Sequence, residues 1–270
     1  MRVGIIAGNR KLPLLLAQRI KQKDKQSKVV AICFRGETDP SIENHVDQAH
    51  WLKVGALGQL KEVIQAEGLK DWIMAGQINP LHIFRRKSWD KQLESLIGSA
   101  SDFRPHAVFK AIINDLESVG INFLDSTVYL SDDLAKEGLM NFADFSDLNQ
   151  DIDFGLKVIS RFVELDVGQT IVVKKGSVVG LESLEGTDRA INRAYRLAGK
   201  GCLVLKFSKS NQDLRFDVPV VGISTLKLLK SIKARGLVLE KDKVIILDKP
   251  LFLSLADKWK IPVIGRSKVA

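Results

Sequence analysis

The sequence has few cysteines and no long hydrophobic run. Cys33 and Cys202 are the two cysteines among 270 residues, and they lie far apart in apolar segments. We therefore expect two buried thiols in a reducing compartment and no disulfide. No stretch approaches the roughly 20 apolar residues that a membrane-spanning helix needs. The first residues read as a strand without a signal-peptide pattern, so we expect a cytoplasmic location.

Several common catalytic motifs are also missing. There is no serine nucleophile elbow, no Walker loop and no glycine-rich dinucleotide fingerprint. The histidines show neither zinc-ligand spacing nor the H-E-x-x-H pattern, and too few ligands follow strands for a calcineurin-type phosphoesterase. A metal ion in this protein is therefore expected to be a hard cation held by oxygen, such as Mg²⁺. The four histidines are His45, His50, His82 and His106.

The charge balance favours anionic partners. The formal net charge is +9, and hydrophobic residues make up 45% of the chain, as in a well-packed globular protein. The basic residues are spread along the sequence and no nucleic-acid-binding signature accompanies them, so we expect no nucleic-acid partner. A phosphorylated substrate and an anionic membrane surface explain the charge equally well.

The first half of the chain alternates strands with helices. Apolar runs at residues 2–7, 28–34 and 71–75 predict buried strands, and amphipathic segments between them predict helices. This alternation requires crossover connections and favours a mainly parallel sheet. We therefore predict an N-terminal α/β domain over residues 1–130, doubly wound and Rossmann-like, of the nucleotide-binding type.

The pattern changes over residues 126–153, which are rich in Asp, Asn, Ser and Phe and contain clustered turn signals. We place the domain boundary here and assign residues 131–270 to a C-terminal α/β domain that carries the acidic motifs. Its sequence predicts one hairpin over residues 170–184 and another over residues 237–247. Because hairpins and helices are mixed in this half, we predict a mixed sheet.

Two turns of the first domain follow strands, where doubly wound sheets bind phosphates. Gly8 ends the first strand, and Pro13 stands at the start of the next helix, where proline is tolerated. Gly76 follows a later strand and would let a ligand approach the backbone. These three residues are candidate substrate contacts. An ordinary strand-to-helix turn and a turn punctuated by glycine and proline are equally good accounts of the two segments.

The most distinctive acidic cluster lies at residues 181–188. Helix capping explains part of it, because Thr187 is expected to be an N-cap and Asp188 opposes the positive end of a helix. Capping does not explain Glu182, which lies inside an otherwise apolar strand, where a buried carboxylate is costly unless it is paired or bound to metal. We predict that Glu182, Glu185 and Asp188 hold a metal ion while Arg189 binds phosphate oxygens.

A second charged segment covers residues 213–217. Asp213, Arg215 and Asp217 alternate, so in an extended segment they point the same way. Asp217 precedes an apolar strand, and Lys206 ends the strand before it. We predict that Asp217 joins the metal-binding acids and that Lys206 and Arg215 bind phosphate. A charged surface loop is the alternative.

These residues carry a resemblance to a known family, which covers nearly the whole chain. The chain resembles the LpxI-type UDP-2,3-diacylglucosamine pyrophosphatases. The C-terminal motifs are specific in their order and spacing, whereas the N-terminal ones are not. The matching segments are residues 4–13, 75–76, 165–169, 182–188 and 213–222.

The resemblance implies a two-domain cytoplasmic enzyme of lipid A synthesis. Such enzymes use Mg²⁺ to hydrolyse the pyrophosphate of UDP-2,3-diacylglucosamine to UMP and 2,3-diacylglucosamine 1-phosphate (lipid X), with water attacking the phosphorus on the uridine side. The resemblance also implies that the acid at Asp217 is indispensable. A homodimer in loose contact with the inner membrane is also implied.

The leading hypothesis is therefore Mg²⁺-dependent pyrophosphate hydrolysis, with Asp217, Asp188 and Glu182 as catalytic acids. Residues 9–11 and 104–106 depart from the family pattern, which is richer in glycine and acids there. A non-catalytic protein that binds a nucleotide sugar or phospholipid is thus the alternative, and a nicotinamide-dependent oxidoreductase is a third. The predicted substrate-binding residues are Gly8, Pro13, Gly76, Gln169, Thr187, Arg189, Lys206 and Arg215.

Overall fold

A computed structural model describes residues 2–79, 89–98, 105–210 and 212–269. The chain forms two compact units. Unit 1 comprises Met1–Tyr129 together with Leu214–Asp217, and unit 2 comprises Leu130–Asp213 and Val218–Ala270. Of the residues discussed above, His82 and Arg104 lie outside the described part, as do the side chains of Pro105 and His106.

Unit 1 contains a five-stranded sheet in the order β3-β2-β1-β4-β5, and all of its neighbouring strands are parallel. Helices connect the strands, as the alternating sequence pattern predicts. The elements are β1 (Arg2–Ala7), α1 (Leu12–Lys23), β2 (Lys28–Phe34), β3 (Gln48–Leu52), α2 (Leu57–Glu67), β4 (Asp71–Ala75), α3 (Lys91–Gly98), α4 (Pro105–Glu117) and β5 (Asn122–Phe123).

Burial explains why these segments form a parallel sheet. Every residue of β1 after Arg2 and every residue of β2 after Lys28 is buried, as expected for strands covered on both faces. Trp72 of β4 is fully buried beside β1. A Cβ at Gly4 would lie 2.2 Å from the Trp72 ring, so the glycine in β1 makes room for the indole.

Unit 2 contains a six-stranded sheet in the order β6-β13-β11-β9-β7-β8 and a separate pair, β10-β12. The central strands β9, β11 and β13 are parallel, whereas β7 runs antiparallel to β8 and β9. The elements are β6 (Gly138–Leu139), α5 (Asn149–Phe162), β7 (Thr170–Lys174), β8 (Ser177–Leu181), α6 (Thr187–Ala198), β9 (Leu203–Lys206), β10 (Val220–Val221), α7 (Ile223–Ser231), β11 (Gly236–Glu240), β12 (Ile245–Ile246), α8 (Lys249–Lys258) and β13 (Val263–Arg266).

The predicted fold class is confirmed: a parallel sheet forms in the first half and a mixed sheet in the second. The hairpin over residues 170–184 is also confirmed, as β7 pairs with β8. The hairpin over residues 237–247 is wrong. Strand β11 pairs in parallel with β9 and β13, and β12 pairs with β10. Because all of β11 is buried, it is an interior strand that needs neighbours on both sides.

One short segment lies in a different unit from the one that the sequence boundary gives it. Leu214–Asp217 follows the second domain's strands in sequence, yet it groups with unit 1. The Ser126 hydroxyl lies within hydrogen-bonding distance of the carbonyl oxygens of Met74 (2.6 Å) and Arg215 (2.9 Å), and the Ser126 amide donates to the carbonyl of Leu214 (3.0 Å). Ser126 therefore attaches this segment to the end of β4.

Every helix in the described part of the chain is too short or too polar to span a bilayer.

Candidate functional site

The acidic motif at residues 181–188 lies at one edge of the mixed sheet in unit 2. Thr170 opens β7 and pairs with Lys206, which closes β9. The Glu182 amide donates to the Thr170 carbonyl at 2.9 Å. Because β7 is antiparallel to both neighbours, the carboxyl ends of β8 and β9 flank its first residue. Topology thus brings together side chains that are up to 36 positions apart in the sequence.

A threonine hydroxyl connects the acid and the base at this edge. Thr187 Oγ1 donates to Glu182 Oε1 at 3.1 Å and accepts a hydrogen bond from Lys206 Nζ at 2.7 Å. Thr170 Oγ1 lies 3.4 Å from the same hydroxyl. Glu182 and Lys206 are only 9% and 8% exposed, so both charges sit in a site largely shielded from water. The arrangement holds a carboxylate and an ammonium group on one hydroxyl.

The second oxygen of Glu182 lacks a partner among the described residues. Glu182 Oε2 is buried and accepts no hydrogen bond, although an unsatisfied buried carboxylate oxygen is costly. A cation is one group that satisfies such an oxygen. Within the described residues, no group of three or more His, Cys, Asp or Glu side chains is arranged to hold a metal. Glu182 could therefore offer one carboxylate oxygen to a cation, without a cluster of described acids beside it.

Asp188 lies in the first turn of α6, and its Oδ1 accepts a hydrogen bond from Thr225 Oγ1 at 3.1 Å. This contact joins the start of α6 to α7. The negative charge also opposes the positive end of the α6 dipole. Arg189, the next residue, is exposed on the solvent side of the helix. Asp188 and Arg189 are thus both placed at the start of α6, beside Thr187.

Thr187 differs from its predicted role. The N-cap of α6 is Gly186, whose φ of 83° favours glycine, and no side chain caps the helix. Thr187 is already inside the first turn. Its hydroxyl hydrogen-bonds with Glu182 and Lys206 and makes no capping bond. The N-cap prediction for Thr187 is therefore wrong by one residue.

Glu185 has two partners of its own. Its carboxylate accepts from the hydroxyl and amide of Ser183, and Oε1 lies 2.6 Å from Arg193 Nη2. These hydrogen bonds, first from Ser183 and then from Arg193, lower the pKa of the Glu185 carboxyl from 4.5 to about 2. Arg193 also donates to the Leu181 carbonyl at 2.7 Å. Glu185 therefore fixes the loop between β8 and α6.

The segment at residues 165–169 packs directly on this edge. A Cβ at Gly168 would lie 2.1 Å from the carbonyl oxygen of Glu182, so only glycine fits without moving that backbone. The Gln169 carbonyl accepts from the Phe207 amide at 2.8 Å, which extends the pairing of β7 with β9. The Gln169 side chain is half-buried. Gly168 thus lets the loop before β7 contact Glu182.

The two glycine turns of unit 1 contact each other. The Gly8 amide donates to Ala75 (2.8 Å) and the Asn9 amide to Gln77 (2.7 Å), both at carbonyl oxygens. Gly76 has a φ of 82°, and a Cβ there would lie 2.5 Å from the Asn9 carbonyl oxygen. The glycines therefore allow two backbones to approach closely. The Gly8 and Asn9 amides already donate to carbonyl oxygens of unit 1. A phosphate group at this turn would therefore need other hydrogen-bond donors.

The start of α1 completes this edge of unit 1. Pro13 is buried in the first turn, as predicted. Asn9 Nδ2 donates to Glu37 Oε2 at 2.8 Å, and the Asn79 amide donates to the same oxygen at 3.2 Å. Glu37 follows β2, so side chains and backbone after β1, β2 and β4 meet at the carboxyl edge of the parallel sheet.

The segment that carries Asp217 is a turn, not the extended stretch that the alternating charges predict. Residues 214–216 form the turn, and Asp217 follows it, half-buried. Arg215 Nη1 lies 2.6 Å from Glu117 Oε1 at the end of α4. The Phe216 ring stacks on Phe109 with centroids 6.1 Å apart. Glu117 and Phe109 therefore hold Arg215 and Phe216 in place.

Sequence reasoning overlooked three polar residues that shape these regions. Thr170 is fully buried beside Thr187, Ser126 attaches the 214–217 segment, and Glu117 pairs with Arg215. Thr170 gave no signal, because a threonine in an apolar run is typical of any strand. Ser126 and Glu117 contact residues that are 89 and 98 positions away in the sequence. Local sequence patterns do not predict contacts over such separations.

Comparison with known proteins adds the family to this geometry. Residues 2–133 match the LpxI N-terminal domain, and residues 136–264 match the LpxI C-terminal domain. The UDP-2,3-diacylglucosamine pyrophosphatase LpxI of Caulobacter vibrioides is 26% identical over 277 aligned positions, covering 98% of this chain and 97% of that protein.

Two solved structures illustrate a distant similarity. A glycinamide-RNase-transformylase T from Mycobacterium tuberculosis aligns with 67% of this chain and 44% of its own at 14% identity and a TM-score of 0.25. The biotin carboxylase domain of the Hydrogenobacter thermophilus 2-oxoglutarate carboxylase aligns with 73% of this chain and 41% of its own at 11% identity and a TM-score of 0.25. The two domain matches together span nearly the whole sequence, and the chain belongs to the LpxI family.

Proposed function

We propose that this protein hydrolyses the pyrophosphate of UDP-2,3-diacylglucosamine to UMP and 2,3-diacylglucosamine 1-phosphate in lipid A biosynthesis, with Mg²⁺. The observation that supports the proposal is the match to both LpxI domains, together with the name of the Caulobacter relative. A cytoplasmic location, a homodimer and contact with the inner membrane remain predictions.

Asp217 is the residue on which the proposed reaction depends most. The resemblance assigns the indispensable acid to this position, and its neighbours Arg215 and Phe216 are held by Glu117 and Phe109. A carboxylate on a fixed backbone is suited to orient an attacking water molecule. We assign that role to Asp217: it accepts a hydrogen bond from the water that attacks the uridine-side phosphorus.

Glu182 and Asp188 are the proposed ligands of Mg²⁺ in unit 2. The buried, unpartnered Oε2 of Glu182 supports this assignment. Mg²⁺ held by these residues would neutralise pyrophosphate charge and stabilise charge on the leaving group. Glu185 is the less suitable ligand of the predicted set, since its oxygens already accept from Ser183 and Arg193. It would have to give up one of these partners to bind metal.

Basic groups would hold the phosphate oxygens. Lys206 is buried, and its ammonium group donates a hydrogen bond to the Thr187 hydroxyl. Because little water surrounds this ammonium group, its electrostatic attraction for an anion is strong. Arg189 is exposed at the start of α6 and brings a bidentate donor. Arg215 binds Glu117 through Nη1, and its guanidinium brings a planar set of N–H donors that matches phosphate oxygens.

The remaining predicted contacts with substrate are positioned by backbone geometry. Gly8, Pro13 and Gly76 lie at the carboxyl edge of the parallel sheet, the usual ligand edge of doubly wound folds. Gln169 precedes β7 at the edge of the mixed sheet. Their contact with substrate is part of the proposal.

The test is direct. The purified protein is incubated with UDP-2,3-diacylglucosamine and Mg²⁺, with and without a chelator, in water enriched in a heavy oxygen isotope. We expect UMP that carries the heavy oxygen, and no UMP in chelator. Tight binding of the substrate without UMP at any Mg²⁺ concentration would support the non-catalytic alternative. Label found only in the sugar phosphate would overturn the assigned site of attack.

A further inference from the structure

Three helices of unit 2 lie together on one face of the mixed sheet. Val204 of β9 belongs to the apolar core that also contains residues of α6, α7 and α8. Its neighbours Leu203 and Leu205 belong to the core that contains residues of α5. Because successive side chains of a strand point to opposite faces of a sheet, α6, α7 and α8 cover one face and α5 covers the other.

The charge of the helices differs between these two faces. Helices α6, α7 and α8 together contain seven Lys or Arg residues and two acidic residues, Asp188 and Asp257. Helix α5 contains two residues of each sign. The exposed side of α6, α7 and α8, called the basic face below, therefore carries a net positive charge that the opposite helical layer lacks.

Most of the seven cations are not neutralised within the protein. Arg193 pairs with Glu185 at 2.6 Å, and Lys249 donates to the carbonyl oxygens of Asp132 and Leu134. The other five are exposed and form no ion pair within the described residues. Exposed cations of one sign favour an anionic partner. The five are Arg189, Arg196, Lys227, Lys230 and Lys258.

The basic face also exposes apolar side chains. Leu197 is 74% exposed and Leu251 is 51% exposed, and both belong to helices that carry unpaired cations. Trp259, directly after α8, is half-buried, and Lys230 Nζ lies 4.5 Å from the centroid of its ring. Lysine and arginine together with leucine and tryptophan are typical of surfaces that lie in the headgroup region of a bilayer.

A nucleic acid is the other extended polyanion that a basic surface could bind. Proteins that bind single-stranded nucleic acid combine a basic groove with aromatic rings on which bases stack. On the basic face, Lys230 lies over the Trp259 ring, where a base would have to stack. The exposed Leu197 and Leu251 favour hydrocarbon instead. The mixture of charge and exposed leucine therefore fits a lipid surface better than a nucleic acid.

We infer that the basic face binds the surface of an anionic phospholipid bilayer, with Leu197 and Leu251 entering the headgroup region. The inference goes beyond the proposed reaction, because this binding requires no hydrolysis. Each Lys or Arg near an anionic bilayer raises affinity about fivefold. The attraction weakens with salt, since the Debye length falls from about 10 Å at 0.1 M to about 3 Å at 1 M.

A pair of matched charge variants tests the inference. Lys227→Gln/Lys230→Gln removes two cations from the basic face, and Lys157→Gln/Arg161→Gln removes two exposed cations from α5 on the opposite face. Binding is measured by flotation with vesicles of phosphatidylcholine, with and without phosphatidylglycerol. We expect the basic-face variant to bind the anionic vesicles at least about tenfold more weakly than wild type, and the control to bind nearly like wild type. An equal loss in both variants would overturn the inference.

The apolar contribution has its own pair of variants. Leu197→Ser/Leu251→Ser removes the exposed leucines of the basic face, and Val119→Ser/Val128→Ser removes exposed valines of unit 1. We expect the leucine variant alone to bind anionic vesicles at least about fivefold more weakly, since each leucine buries part of its side chain in the bilayer. Thermal melting checks that each variant folds. Wild type that floats equally with neutral and anionic vesicles, or with neither, would contradict the proposal.

Two further readouts separate the bilayer from other accounts. Binding of a single-stranded RNA oligonucleotide that Lys227→Gln/Lys230→Gln abolishes, without any flotation of wild type, would assign the basic face to nucleic acid and overturn the inference. UMP release from detergent-dispersed UDP-2,3-diacylglucosamine should be the same in this variant and in wild type. If no protein releases UMP but flotation responds as expected, the proposed reaction fails and the bilayer surface stands.

Discussion

The hydroxyl of Thr187 donates to the buried carboxylate of Glu182 at 3.1 Å and accepts from Lys206 at 2.7 Å. Removing it leaves two buried polar groups without their shared partner, so we predict that Thr187→Val lowers the free energy of unfolding by about 1–3 kcal/mol and slows UMP release. Thr187→Ser keeps the hydroxyl and should behave like wild type. Urea denaturation and the UMP assay measure the two effects. A Thr187→Val protein that matches Thr187→Ser in both would contradict this role.

Gly168 gives a steric test of the same edge. Because a Cβ there would lie 2.1 Å from the Glu182 carbonyl oxygen, Gly168→Ala must displace the backbone that carries Glu182. We expect a loss of about 1–3 kcal/mol in unfolding free energy, as for other overpacked sites. Gly98→Ala is the control, since a Cβ at Gly98 meets no atom of the described residues within 4 Å. Equal urea midpoints for the two variants would show that the loop yields easily.

Glu185 provides a pH dependence with a defined sign. Its pKa is lowered from 4.5 to about 2 in the folded protein, so its carboxylate stabilises the fold above pH 4.5, and this contribution disappears as the pH falls through about 2. Solvent screening keeps it small. We expect the difference in unfolding free energy between wild type and Glu185→Gln to vanish across this interval. A difference that grows toward low pH has the wrong sign for the Ser183 and Arg193 contacts.

The two cysteines should be inert in the native protein. Burial, with a smaller contribution from the Glu43 charge, raises the pKa of the Cys33 thiol to about 12, and burial also raises that of Cys202. Since the thiolate is the reactive form, a thiol reagent at neutral pH should modify neither cysteine until denaturant is added, and then both. Rapid modification of the native protein would mean that one thiol reaches solvent.

The sequence predicted unit 1 well because its strands are buried on both faces. Continuous apolar runs such as β1 and β2 are distinctive, and the helices between them leave a parallel arrangement as the natural solution. The second hairpin failed for the converse reason. Strands β11 and β12 are near in sequence, yet β11 pairs with β9 and β13, and β12 pairs with β10. Hydrophobic periodicity predicts a strand but does not identify the strand with which it pairs.

The candidate site was predicted in part. Glu182 stood out because a carboxylate inside an apolar strand needs a partner. The structure places it just after β8, supplies Thr187 and leaves one oxygen without a partner among the described residues. The turn at residues 214–216 and the attachment of its segment to Ser126 were not predictable, since they depend on contacts between residues that are 89 positions apart. The role of each acid in the reaction remains a prediction.

The most direct test compares Asp217→Asn with wild type in the UMP assay at saturating UDP-2,3-diacylglucosamine and Mg²⁺. The substitution keeps shape and removes the charge. The account predicts unchanged thermal melting and UMP release at least ~100-fold slower, the usual cost of losing a key electrostatic group. Wild-type turnover by a folded Asp217→Asn protein would contradict it.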